Sequence, residues 1–405
     1  MQDTEAAGRD GIGEEAIIDA AIDIVVDNGL SGLTLRPLAS RLGVSVAVIS
    51  ARMGSKDGLI DRIVDLAAQR DQRFFARWSG LAADVGPEDT VARAAVADLA
   101  FRDWVSAGRR QAIVLVELVH HHALQRAPSP RLDRWLARAS AFWSSLIFGS
   151  PVLAPALTDV ALGYVLDEAG FALGAGDDPA YALLRVLCLQ RLAGGGLARA
   201  DGPGREIERL IPLLEPDDLP GGGPDDPKRR HIADSAAGII VSQGMNAATH
   251  RSVALAAGVP ASTVVYHFGG RAALLVAGLH AVIARFHGAR DRARAGAVAP
   301  GDDLEARDLV KATSMIALAS LREPSLRPHA LDMRRRRGEN IRAADLAALG
   351  FGPDAMSRFD RAAAQVISIA LFGMRMVAMS RDLPEECEYR RGFAALDAWG
   401  DALPD

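Results

Sequence analysis

The chain has 405 residues, of which 49% are hydrophobic and 24% charged, as in soluble globular proteins with two or more domains. Its formal net charge of −5 argues against indiscriminate coating of nucleic acid, because that activity needs a broad positive field. The two cysteines, Cys188 and Cys387, are too few for a disulfide scaffold or a cysteine metal site. We see no secretory signal pattern and no apolar run of about 18 residues, so we expect a cytoplasmic protein.

The chain contains an internal repeat. Gly43 aligns with Gly258, 215 residues further on, and the same offset holds through the surrounding sequence without a gap. Identical pairs at this offset include Ile17 with Ile232, Asp19 with Asp234, Gly29 with Gly244, Thr34 with Thr249, Arg36 with Arg251, Ala39 with Ala254, Val44 with Val259 and Leu59 with Leu274. One register held over this length indicates two copies of one unit.

Each copy predicts three short helices followed by a long one. Apolar residues recur at helical spacing after Ile17 and after Ile232, which predicts a first helix with one apolar face. Gly29 and Gly244 are predicted to end that helix. Thr34 and Thr249 are predicted to cap the second helix, and Gly43 and Gly258 are predicted to end it. The third helix is predicted to start at Ser45 in the first copy and at Pro260 in the second. A fourth helix is predicted to begin near Ser55 and near Gly270.

Three short helices with a glycine turn before the last form a helix-turn-helix, whose last helix can lie in the major groove of DNA. The motif T-x-R-x-x-A, followed by G-V-[SP] and then Y-H-F, resembles that of the tetracycline-repressor (TetR) family of bacterial regulators. The second copy carries it at Thr249, Arg251, Ala254, Gly258, Val259, Tyr266, His267 and Phe268. The first copy matches at Thr34, Arg36, Ala39, Gly43, Val44, Ser45, Ser55, Lys56 and Leu59, but departs at Ser50, where the family usually has tyrosine, and at Met53, where it usually has phenylalanine.

The resemblance implies an all-α chain of two tandem TetR-like units. In the family, each unit has a helix-turn-helix head and a helical body that binds a small ligand and dimerises, and members are about half as long as this chain. We therefore interpret the chain as an intramolecular pseudo-dimer that binds double-stranded operator DNA, acts as a repressor on an asymmetric operator, and is released by a small hydrophobic effector. The alternative is a protein with decayed heads that sequesters a small molecule or a partner. Further homodimerisation of the fused chain is left open.

Composition locates the seam between the units. Glycine, proline and aspartate surround one short amphipathic piece, Glu206 to Leu214. We predict a first head at 12–60, a first body at 61–215, a linker at 216–227, a second head at 228–275 and a second body at 276–405. Near the end of each body lies a long apolar helix, at 157–173 and 362–379. Small residues, namely Ala161, Gly163, Ala169 and Gly373, would let these helices approach closely, and in the family helices at this place form the interface between protomers.

Candidate DNA contacts follow from the predicted helices. The second recognition helix offers more polar groups for base reading than the first, where Ser50 stands among apolar residues. Arginines and a lysine can contact phosphates, which positions a protein without specifying sequence. The run Lys228 to His231 is either a basic arm or a solvated helix start. The predicted set is Thr34, Arg36, Ser45, Val46, Ser50, Arg52, Lys56, Arg230, Thr249, Arg251, Ser262, Thr263, Tyr266, His267 and Arg271.

The bodies offer candidate ligand contacts. The predicted set, with ordinary core packing as the alternative for each aromatic residue, is Phe101, Trp104, Glu117, His121, Phe142, Trp143 and Tyr164. Three consecutive histidines, His120 to His122, point about 100° apart on a helix and cannot converge on one ion, so we predict no metal. Four arginines, Arg334 to Arg337, are interpreted as a solvated helix face. No pattern predicts catalysis or a cofactor, so an enzyme is not expected.

Overall fold

The computed structural model describes residues 12–86, 88–149, 155–175, 178–197, 204–216, 226–294, 306–339 and 341–402, and these residues form helices and no strand. The α-helices of the first unit are α1 (Glu14–Gly32), α2 (Leu35–Leu42), α3 (Val46–Met53), α4 (Lys56–Leu81), α5 (Thr90–Ser106), α6 (Arg109–Gln125), α7 (Pro130–Phe148), α8 (Pro155–Ala175), α9 (Pro179–Ala193) and α10 (Gly204–Leu213). Those of the second unit are α11 (Pro227–Gln243), α12 (His250–Ala256), α13 (Ala261–Phe268), α14 (Arg271–Arg294), α15 (Ala306–Ser320), α16 (Arg327–Arg335), α17 (Leu346–Leu349), α18 (Arg361–Ser380) and α19 (Glu385–Ala402). The all-α prediction is confirmed.

The two heads differ at the end of the first helix and at the start of the second. Gly244 ends α11, but α1 only kinks at Gly29 (φ 74°) and continues to Gly32. Thr249 caps α12 by accepting a hydrogen bond from the Ser252 amide. The predicted cap by Thr34 is wrong, since its side chain makes no such bond. The residue that would donate is Pro37, and proline has no N–H.

One ion pair at the repeat offset holds each head to the long helix that follows it. Arg70 on α4 donates to both carboxylate oxygens of Asp19 on α1, at 2.7 and 3.0 Å. The hydrogen bonds from Arg70 lower the pKa of Asp19. In the second unit Arg285 on α14 lies 3.9 Å from Asp234 on α11. The repeat therefore extends to the contacts between head and body.

The two bodies meet where α8 crosses α18. A Cβ added to Gly163 would lie 2.7 Å from the carbonyl oxygen of Ala370, and one added to Gly373 would collide with the carbonyl group of Gly163. Only glycine at both positions permits this approach. Two further helices lie at this place: α9 packs against α18, and α19 packs against both α8 and α18, so the units join through four helices within one chain.

The arginine run does not form a solvated face, and this prediction is wrong. Arg334, Arg335 and Arg337 are buried. The Nε of Arg334 donates to Glu168 on α8 at 2.7 Å, with both side chains fully buried, and Arg337 donates twice to Asp167, at 3.0 and 2.8 Å. The acidic partners come from the other unit, so the run is an ionic contact between the units.

The helix α18 is long and apolar enough to cross a membrane by length and composition, but 89% of its most apolar window is buried inside the protein. It therefore serves as a core helix in this fold.

The predicted domain borders fall within continuous helices. The border at 60/61 lies inside α4 and the border at 275/276 lies inside α14, so each of these helices belongs to both a head and a body. Of the predicted linker, residues 217–225 lie outside the described residues, as do residues 295–305 of the predicted second body.

Candidate nucleic-acid interface

The two recognition helices, α3 and α13, have equal length and bury the same face. Ile49 and Met53 are buried on α3, and Val264 and Phe268 are buried at the matching positions of α13. These apolar contacts fix the third helix of each head against the first two. The opposite face of each helix is left at the surface of the head.

The outward face of α13 carries larger and more polar groups than that of α3. Tyr266 is 85% exposed, and Ser262 is exposed one turn before it. At the repeat offset Tyr266 corresponds to Ala51, and Ser50 corresponds to Val265. The equal length of the two helices agrees with this register. The first head thus presents a methyl group where the second presents a phenol.

Several predicted DNA contacts are already engaged within their heads. Ser45 caps α3 by accepting from the Val48 amide, and Arg52 donates to the carbonyl of Ile12. His267 is only 13% exposed at its side chain and lies 3.3 Å from Asp226. Arg271 folds back onto the carbonyls of Met245 and Asn246. These four predictions remain untested as contacts to DNA, and each would require its present bond to be shared or exchanged.

The remaining predicted DNA contacts divide by exposure. Those at the surface are Thr34, Arg36, Val46, Arg230, Thr249, Arg251, Ser262 and Tyr266. Those half-buried are Ser50, Lys56 and Thr263. The Lys228 to His231 run forms the first turn of α11, with Arg229 over the ring of Phe268 at 5.3 Å. Of the two alternatives for this run, a basic arm or a helix start, Arg230 therefore lies in a helix start.

Four of the predicted ligand contacts form a closed aromatic cluster. Phe101, Trp104, Phe142 and Trp143 are buried and in ring contact with one another. At its edge Asp71 accepts hydrogen bonds from Trp104 and Trp135, and burial raises the pKa of Asp71 to about 7. Tyr164 is fully buried on α8. These side chains pack as core.

The other two predicted ligand contacts lie elsewhere, at a cavity between the heads. We call it the junction cavity; its volume is about 290 Å³, and its lining residues are Leu30, Ser31, Lys56, Glu117, His120, His121, Leu124, Gln125, Ser242, Gln243, Gly244, Met245, Asn246, Met315 and Leu318. Sequence reasoning found Glu117 and His121 but missed the rest, because the lining comes from five helices and the turn after α11. No cluster of metal-ligating side chains occurs among the described residues.

Two helix-turn-helix heads on one helical body define a DNA-binding transcription regulator. The family model "Bacterial regulatory proteins, tetR family" matches residues 17–63 and again residues 232–277, which are the two heads. The chain belongs to this family and carries two of its units in tandem. No curated protein was found to match the chain.

Proposed function

We propose that the chain is a repressor that acts in the cytoplasm as a single-chain pseudo-dimer on an asymmetric operator and is released by a small-molecule effector. The observation that carries this proposal is the unequal outward face of the two recognition helices. A homodimer presents two identical heads and selects a palindrome. Here Tyr266 faces outward on one head and Ala51 occupies its place on the other.

The joined bodies support simultaneous use of both heads. Because α8 packs directly against α18 and forms buried ion pairs with Arg334 on α16 and Arg337 just after it, the heads are carried by one body rather than by two independent ones. Helix-turn-helix dimers place their recognition helices in successive major grooves about 34–36 Å apart. We assign this geometry to the two heads of the chain, with half-sites of unlike sequence.

The roles of individual residues follow from their exposure. Ser262 and Tyr266 on α13 are the side chains we assign to base edges in the more stringent half-site. Arg36 and Arg251, exposed on α2 and α12, are assigned to phosphates at matching positions of the two heads. Base-edge contacts by the first head then depend on methyl groups and the Ser50 hydroxyl.

Footprinting on the DNA upstream of the gene, followed by base substitution in each half-site, tests the operator. We expect substitutions under the second head to weaken binding by about 5- to 150-fold, the effect of losing one good base contact, and substitutions under the first head to have smaller effects. Tyr266→Ala should reduce the difference in sensitivity between the two halves, with Ser262 left as the polar base contact of the second head. A palindromic footprint with equal sensitivity in both halves contradicts the proposal.

A gel-shift series over salt concentration tests the phosphate contacts. Arg251→Ala should weaken binding to all sequences alike and make the slope of log K against log[salt] shallower by about 1. Arg36→Ala should do the same on the first head. Arg138→Ala, which removes an exposed arginine on α7 in the body, is the matched control and should leave the slope unchanged. No retention at low salt would favour the sequestering protein instead.

A further inference from the structure

The junction cavity contacts both heads and both bodies. The end of α1 contributes Leu30 and Ser31, and the end of α11 with the following turn contributes residues 242–246. The start of α4 closes it with Lys56, and the body helices α6 and α15 form the remaining walls. A molecule in this cavity would therefore touch matching segments of the two heads at once.

Two charged side chains line the junction cavity, Lys56 and Glu117. Lys56 lies at the first position of α4, a 26-residue helix whose N-terminus carries a partial positive charge. The carboxylate of Glu117 is already paired with Arg322 at 2.8 Å. Arg322 also donates to the carbonyls of Val25 and Val26, which offsets the negative end of α1. With Glu117 paired to Arg322, Lys56 is the charged lining group that remains for an anion, with Asp57 beside it in the first turn of α4.

His120 supplies an unsatisfied polar group. Its side chain lines the cavity, the residue is 8% exposed, and its Nδ1 is buried without a hydrogen-bond partner among the described residues. Burial lowers the pKa of His120 and that of His121 to about 4, so both rings are neutral near pH 7. A neutral imidazole carries one N–H that can donate to a bound oxygen. Buried polar groups are normally paired, so an unpaired one in a cavity wall indicates a ligand or water.

Part of the cavity lining is apolar. Leu30, Leu124, Met315 and Leu318 form this part. The volume of about 290 Å³ is roughly twice that of a cavity known to admit benzene, and lies near the lower limit of small-molecule sites. The cavity therefore fits a compact molecule with an apolar body and one polar end.

We propose that the junction cavity binds a small organic anion, a carboxylic acid with an apolar body, whose carboxylate lies toward Lys56 and His120. This inference rests on the proposed function, because it identifies the effector class and places its site between the heads rather than in the aromatic cluster of the first body. Binding there fixes the spacing of the two heads directly. The change in DNA affinity should be within the range of about 5- to 150-fold typical of allosteric coupling.

Calorimetric titration of the full chain without DNA tests the site. The probes are 4-phenylbutyrate, 4-phenylbutanol and 4-phenylbutylamine, which share an apolar body and differ in charge. We expect the carboxylate to bind at least about tenfold more tightly than the alcohol, the size of one favourable charged contact, and the amine to bind least. Lys56→Met should remove the preference for the carboxylate while the alcohol still binds.

Two further variants locate the bound probe. Leu124→Trp fills the junction cavity and should abolish binding of 4-phenylbutyrate, whereas Phe142→Leu alters the aromatic cluster and should leave that binding unchanged. Thermal unfolding of each variant verifies that it folds. Absence of binding by all three probes, or loss of binding only in Phe142→Leu, overturns the inference.

The gel shift on operator DNA and the calorimetric titration are independent measurements, so the two proposals can fail independently. If the chain retains its operator but no probe binds, the cavity inference fails and the proposed repressor stands. If 4-phenylbutyrate binds with the expected variant pattern but the chain retains no DNA, the repressor proposal fails and the cavity inference stands.

Discussion

Arg322 of the second unit lies 2.8 Å from Glu117 of the first, and its guanidinium also donates to the Val25 and Val26 carbonyls at the end of α1. The other oxygen of Glu117 accepts from the Leu30 amide at 3.2 Å. One arginine of the second unit thus holds both the last turn of the first head's α1 and the body helix α6. This contact links the second body to the first head.

Arg322→Ala should release the end of α1. The substitution leaves Glu117, whose side chain is 10% exposed, without its cation, and we expect a loss of about 2 kcal/mol in the free energy of unfolding. Hydrogen exchange should accelerate at the Leu30 amide more than in α8. Arg391→Ala, which breaks an exposed pair with Glu388 on the same helix, is the control and should cost under about 0.5 kcal/mol. Equal losses in the two variants would contradict this assignment.

Arg334→Met should destabilise the chain strongly. Glu168 is fully buried and would lose its cationic partner, which typically costs about 3–5 kcal/mol. Adding Glu168→Gln removes the stranded charge and should recover part of that loss. Urea unfolding of both single variants and the double variant gives the coupling free energy. Strict additivity of the two losses would show that the pair contributes no coupling.

Gly373→Ala should weaken the contact between α8 and α18. The added methyl group would collide with the Gly163 carbonyl, so the helices must separate, at an expected cost of about 1–3 kcal/mol. Gly238→Ala on α11 is the matched control, because no atom lies within 4 Å of the added carbon. There the higher helix propensity of alanine should stabilise by about 0.5–1 kcal/mol. Melting temperatures that move in the same direction would refute this expectation.

Acid should destabilise the chain through His120. Its pKa falls from 6.5 in the unfolded chain to about 4 in the folded one, chiefly because burial disfavours the charged ring. Between pH 4 and 6.5 the unfolded state therefore binds more protons than the folded state. The free energy of unfolding decreases as the pH falls through this range, by about 3 kcal/mol once the pH is below both pKa values. The full contribution of the neutral, buried His120 is present above pH 6.5.

His120→Leu should flatten that dependence. Asp71 has the opposite effect, because burial raises its pKa from 3.8 to about 7 and stability falls as the pH rises through that window. Since Asp71 is present in both proteins, its contribution cancels in the difference between wild type and variant. Urea unfolding at several pH values gives this difference. A difference that does not change between pH 4 and 6.5 would rule out titration of His120 as the cause.

Local sequence patterns predicted much of the fold. The order of helices in both heads and the long apolar helices of the bodies follow from spacings within about 20 residues, where helical periodicity and end signals operate. The repeat follows from the constant offset of 215 residues. The predicted apolar segments at 157–173 and 362–379 lie within α8 and α18, and their glycines meet as expected. The cap by Thr34 failed for an equally local reason, the missing N–H of Pro37.

The partners of charged and aromatic side chains depend on the tertiary structure. The sequence by itself determined that the chain carries two heads on helical bodies. It could not show that Arg334 is buried against Glu168, because those residues are 166 positions apart and a charge run is ordinarily solvated. Nor could it show that the aromatic residues of the first body pack as core while Lys56 and His120 line a cavity with the turn after α11. Burial and pairing depend on which helices meet, and that was decided by the packing of one unit against the other.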